Sequence, residues 1–160
     1  MKFFFIILFL ISLNISAQYS IKQPQYINPV NKRVMSEPAK IILTYVGSIA
    51  LNAVGDALND EGHKDWGHLC NAASVGVLIT SPFYVDYDRS KWYNYLISYT
   101  SLRIGLFDFT YNAVRGLPLN TIGSTSFWDK GMQKLNPPNT YLGRSVFFII
   151  GIYVPINQYK

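Results

Sequence analysis

Residues 39–58 read AKIILTYVGSIALNAVGDAL. Lys40 stands at the start and Asp56 near the end, with fifteen uncharged residues, Ile41 to Gly55, between them. Twenty helical residues at ~1.5 Å each reach about 30 Å, the thickness of the hydrocarbon layer of a bilayer. Lys40 is placed to extend its ammonium outward to the interface. Thr44, Ser48, Asn52 and Asp56 recur every fourth residue and therefore share one helix face. Gly47, Ala50, Ala53, Val54 and Ala57 supply small neighbours. A polar stripe flanked by small residues is the side that a membrane helix turns toward other helices. Ser36, Glu37 and Pro38 mark the helix start: a capping hydroxyl, an acid in the first turn and an early proline.

Upstream, residues 18–38 form a polar lead-in, with Pro24 and Pro29 and no helical period. Before it, Lys2 precedes an apolar run from Phe3 to Leu13, followed by Asn14, Ile15, Ser16 and Ala17. A positive start, a short apolar core and small residues at its end predict a secretory signal peptide over residues 1–17, cleaved after Ala17. Residue 18 is then expected on the outer side.

Downstream, Asn59 to Asp65 reads as a tight acidic connection with Gly62 as the helix stop. The second candidate span covers 66–85 and is interrupted by Pro82. Asp86, Asp88, Arg89 and Lys91 form a charged loop, crowded by Tyr84, Tyr87, Trp92, Tyr93 and Tyr95. Aromatic residues gathered at a charged loop mark a membrane–water boundary. The third span is 92–109. A polar connection, Leu117 to Arg144, contains Pro137-Pro138. The fourth candidate, 145–156, is apolar but has only twelve residues. The expected fold is an all-α membrane protein, a small bundle of three to four short transmembrane helices over residues 39–160.

Composition agrees with this reading. Charged residues make up 14% of the 160-residue chain, against roughly 25% in soluble domains. Aromatic residues make up 16%, and amphipathic rings suit a protein that meets lipid headgroups. The net charge is +5, but the 14 Lys and Arg are scattered, with Lys32-Arg33 the only adjacent pair. Nucleic-acid binding is therefore not expected. Basic residues fall on both sides of the predicted topology, so the signal peptide alone sets its orientation. The expected location is the cell membrane (the inner membrane in a Gram-negative bacterium). The expected partners are the lipid bilayer and other membrane helices, including copies of this chain. Cys70, the only cysteine, can form no internal disulfide and reads as a small buried hydrophobe.

The residues that could carry chemistry are few. Asp56, Asp60 and His63 fall at i, i+4 and i+7, and with His68 they are the candidate metal ligands or acid–base groups. Gly62 works against that arrangement by ending the helix before His63. Arg103 lies eleven residues beyond Trp92, where an unpaired charge costs several kcal/mol, so it must face the bundle or a wet cavity. Asp108, five residues on, lies about 140° around the helix. Asp56 is the expected cross-helix partner of Arg103. Asp56, Asp60, His68, Arg103 and Asp108 are thus the candidate catalytic residues. Asp56 and Asp60 share the Asp-x3-Asp spacing of membrane phosphoalcohol transferases, but the upstream Asp-x2-Asp-Gly is missing. No Pro-Ser-Gly-His signature, Gly-x-Ser-x-Gly elbow or Gly-x4-Gly-Lys loop occurs. No cofactor is expected. The leading expectation is a non-enzymatic structural or accessory membrane component. The alternatives are a membrane-embedded hydrolase or transferase using the Asp/His cluster with Arg103, a small transporter or channel subunit, and a soluble periplasmic helical domain.

Overall fold

Ser36 adopts an extended backbone, and its carbonyl accepts the first helical bond, from the Lys40 amide at 3.1 Å. Helix α1 then runs Glu37–Asp60, with Pro38 in the first turn, where a missing N–H costs nothing. Gly62, at φ 88°, takes the left-handed conformation that lets the chain reverse. Helix α2 follows over Lys64–Thr80. A 3₁₀ turn, Ser81–Phe83, stands where Pro82 cannot continue the helix, and the Ser81 carbonyl collects the amides of Tyr84 and Val85. A second 3₁₀ turn, Arg89–Lys91, leads into α3, Trp92–Arg115, which Gly116 closes at φ 65°. Helix α4 is Pro137–Gln158. The computed structural model describes residues 35–122, 130–131, 133–134 and 137–159, and the expected signal peptide over 1–17 and residues 18–34 lie outside them. Ser36–Lys160 form one unit and Met1–Met35 another.

The described residues are helical, without strands. Three of the expected boundaries move by more than two residues. The second segment ends at Thr80, not 85, because of Pro82. The third continues from 109 to Arg115, where Gly116 supplies the stop. The fourth begins at Pro137, eight residues before 145. Pro137 and Pro138 read as breakers of a loop, but proline suits a helix's first turn equally well, because amides there need no helical acceptor. Arg144, expected in a polar connection, is therefore helical.

Helix α1 touches the other three: α2 and α3 pack on its flanks, and α4 packs mainly on α3. Among the described residues one helix, α1, is long and apolar enough to cross a membrane by length and composition. At the Glu37 end, Ile41, Tyr45, Ile49, Val85, Tyr95 and Leu102 make the apolar core.

Both main helix contacts are close backbone approaches through glycine. A Cβ on Gly55 would lie 2.8 Å from the Gly67 carbonyl, and one on Gly67 would lie 2.7 Å from the Gly55 carbonyl. On the other side, a Cβ on Gly105 would meet the Phe148 amide at 3.0 Å, and one on Gly151 the Leu102 amide at 2.9 Å. Small residues thus let α1 meet α2, and α3 meet α4, nearly backbone to backbone.

Pro155 sits inside α4 and removes the amide that would have bonded the Gly151 carbonyl. The buried Ser98 hydroxyl of α3 donates to that carbonyl instead, at 2.6 Å. Ser98→Ala should therefore leave a buried carbonyl unpartnered and cost about 1–3 kcal/mol in thermal unfolding of the purified chain. In a Pro155→Ala background, which restores the helical amide, the same substitution should cost distinctly less. Equal costs in the two backgrounds would mean that Ser98 does not compensate for the proline.

Candidate functional site

The stripe Thr44–Ser48–Asn52–Asp56 faces a matching set on α2 and the turn after it. The Thr44 hydroxyl bonds the Tyr84 phenol at 3.0 Å. The Ser48 and Ser74 hydroxyls are 3.0 Å apart, and Ser74 Oγ donates to the Ser48 carbonyl at 2.8 Å. Asn52 Nδ2 donates to Asn71 Oδ1, and Asn71 Nδ2 donates to Asp56 Oδ1, both at 2.9 Å. The Gly55–Gly67 approach lies at the same seam and brings Asn71 up to Gly55 and Asn59 up to Gly67. Asn59 Oδ1, buried beside Gly67, has no hydrogen-bond partner among the described residues.

Arg103 extends this seam to α3. Its Nη1 donates to Asn52 Oδ1 at 2.6 Å, and its Cζ lies 4.5 Å from the centre of the Phe107 ring. The expected Arg103–Asp56 pair does not form directly. Two asparagine amides stand between the charges, each turned with its oxygen toward the arginine and its nitrogen toward the carboxylate. The result is one polarised chain, Arg103–Asn52–Asn71–Asp56. Periodicity showed Asn52 on the stripe, but the expectation that a charge seeks a charge overlooked it as an acceptor.

Asp108 pairs with Arg144 of α4 at 2.7 Å. Arg144 is 5% exposed and also donates to the Leu119 carbonyl at 3.2 Å. Asn112, at 2% exposure, donates to the Thr121 carbonyl at 2.7 Å. Together they hold the chain after Gly116 against α3. This knot was missed because Arg144 was placed outside any helix.

Asp60 accepts from the Tyr111 hydroxyl and lies 3.4 Å from Arg115 Nη1, at an exposed edge. His63 and His68 are both exposed. Asp56, Asp60, His63 and His68 are therefore not gathered, and no group of three His, Cys, Asp or Glu is placed to hold a metal among the described residues. Gly62 accounts for this, since it ends α1 before His63. Cys70 is buried and free.

The opposite end of the bundle is tied by tyrosines. Tyr159 donates to the Asp86 carbonyl at 2.5 Å and bonds the Tyr95 hydroxyl at 3.0 Å, which in turn accepts from the Asp88 amide at 2.8 Å. Glu37 accepts from the Asp86 amide at 2.9 Å and pairs with Lys40 at 2.6 Å. The hydroxyl and amide of Ser90 hold the Asp88 carboxyl below the usual range for an aspartate.

Asp108→Asn should cost about 3 kcal/mol in thermal unfolding, because it strands the buried Arg144 charge. Adding Arg144→Met should recover much of that loss, and Asp60→Asn, at an exposed pair, should cost under about 1 kcal/mol. The assignment fails if Asp108→Asn is no more damaging than Asp60→Asn. Comparison with protein-family models, curated proteins and solved structures finds no match to this chain.

Proposed function

We propose that the chain is an exported, multi-pass integral membrane protein with a non-enzymatic structural or accessory role, retained in the cell membrane (the inner membrane in a Gram-negative bacterium) with residue 18 on the outer side. The observation that carries this reading is the distribution of polarity. The interior holds Ser48, Ser74, Ser98, Asn112, Thr140 and Arg144. The outer faces carry Trp66, Leu69, Val75, Ile79 and Phe83 along α2 and its following turn, and Leu142, Val146, Ile149, Tyr153 and Ile156 along α4. Phe83 is 90% and Ile79 69% exposed. Water would penalise so large an apolar surface, whereas lipid tails accept it and leave polar groups to be satisfied inside.

Helices α3 and α4 have 24 and 22 residues, long enough at ~1.5 Å each to cross about 30 Å. Trp66, Trp92 and Tyr93 stand exposed near helix ends, as interfacial anchors do. The candidate acids and arginines are spread over three separate places: Asp56 joined to Arg103 only through Asn71 and Asn52, Asp60 paired with Arg115, and Asp108 paired with Arg144. Catalysis or transport would use these groups together in one cavity or along one track. Their dispersal favours a structural role, each contact fixing one helix against another.

Alkaline carbonate treatment of membranes from expressing cells should leave the chain in the pellet, with its mature N-terminus at Gln18. Release into the supernatant would overturn the membrane reading and favour a soluble periplasmic domain. An N-terminus at Met1 would remove the signal-peptide assignment and leave the membrane assignment standing.

A further inference from the structure

Helix α2 packs on α1, and its buried residues are Gly67, Cys70 and Ser74. Among the described residues it has no comparable contact with α3 or α4. The face opposite those three residues is therefore unpartnered. Asp65, Ala72 and Ile79 run down its middle, about two helical turns apart, with His68 and Val75 on one side and Gly76 on the other. All of these except Gly76, which is half-buried, are exposed.

Two features set this face apart from the outward face of α4, where Leu142, Val146, Ile149 and Tyr153 present large side chains. The first is charge. Lys64 and Asp65 are adjacent, exposed and, among the described residues, in no ion pair. In two parallel helices related by a two-fold axis, the residue that precedes a central position lies beside the central residue of the other helix. Lys64 of each copy then meets Asp65 of the other, so the Lys64 end of the face is complementary to itself. The second is space. No atom of the chain lies within 4 Å of where a Cβ on Gly76 would stand, whereas Gly55, Gly67, Gly105 and Gly151 each admit a neighbouring helix of the same chain.

We propose that this face of α2 is the interface of a parallel homodimer, with Lys64 and Asp65 paired reciprocally at one end and Ala72 and Gly76 in close contact at the middle. Apolar side chains alone give a helix in lipid no preference for protein over acyl chains, whereas close backbone approach and matched polar groups do. A second copy brings both by symmetry: the same small surface opposite Ala72 and Gly76, and a charge of the right sign for Lys64 and for Asp65. The parallel direction rests on the membrane reading, because copies inserted in the same sense can share only a two-fold axis along the membrane normal.

The test is oxidative cross-linking of the full-length chain in membranes of expressing cells, joined to its oligomeric state in nonionic detergent by sedimentation. Ile79→Cys should give a disulfide-linked dimer, because Ile79 faces its own copy across the axis. Ile149→Cys, comparably exposed on α4, should not, and neither should the wild type, whose Cys70 is buried. In detergent the wild type should sediment as a dimer. Gly76→Ile and Asp65→Lys should each raise its dissociation constant about tenfold, and adding Lys64→Asp to Asp65→Lys should restore it. Gly76→Ile enters open space within its own chain, so its thermal unfolding should match the wild type when both are monomeric. A monomeric wild type, equal cross-linking at positions 79 and 149, or Gly76→Ile dimerising as tightly as the wild type overturns the proposal. Failure of the charge exchange to restore the dimer overturns the pairing of Lys64 with Asp65 and the two-fold register with it. Release by carbonate together with cross-linking at position 79 would remove the membrane reading and leave the dimer standing, so the two readings fail separately.

Discussion

The approach of Gly55 to Gly67 is the contact on which the rest of the bundle depends. With no side chain at either position, the backbones of α1 and α2 come close enough for short polar groups to reach across. Ser48 then meets Ser74, and Asn52 and Asp56 share Asn71. Serine and asparagine have little reach. A larger residue at either glycine would push the helices apart and strand every polar group along the seam. Such groups stabilise a fold only when all are satisfied together, because an unpaired one in a dry interior costs more than its hydrogen bond returns.

The α3–α4 contact follows the same logic by different means. Gly105 and Gly151 permit the approach, and Ser98 answers the carbonyl that Pro155 leaves open. A helix-breaking residue thereby becomes a fixed point between two helices, since the freed carbonyl has one donor within reach. Asp108 with Arg144 and Asn112 with the Thr121 carbonyl close the Asp60 end. The tyrosine links of Tyr95 and Tyr159 close the other. Each crossing thus carries its own polar lock beside the apolar core of Ile41, Tyr45, Ile49, Val85, Tyr95 and Leu102.

Arg103 differs from the other interior charges. Among the described residues the other interior charges are paired or joined to a satisfied amide, and the contacts of Asp56, Asp60 and Asp108 are spatially distinct. Among the described residues Arg103 joins a neutral acceptor, Asn52, and an aromatic ring, Phe107, in place of a direct carboxylate partner.

The sequence by itself determined the helical class, the extent of α1, the stop at Gly62 and the polar face of Thr44, Ser48, Asn52 and Asp56. These depend on periodicity and on local backbone preference, which act within a few residues of each other. Periodicity also located Arg103 and required it to face inward. Its partner, Asn52, was decided by tertiary structure, as was the pairing of Asp108 with Arg144. Pro137-Pro138 is locally compatible with a loop or with a first helical turn, and packing of α4 on α3 selects the helix. The same holds for Gly67, Asn71 and Ser74. In sequence they make α2 look only less apolar than α1, and their role appears once the two backbones meet. Hydrogen bonding is short-ranged and directional, so which polar groups become partners is fixed by how the helices are juxtaposed, a quantity no local pattern encodes.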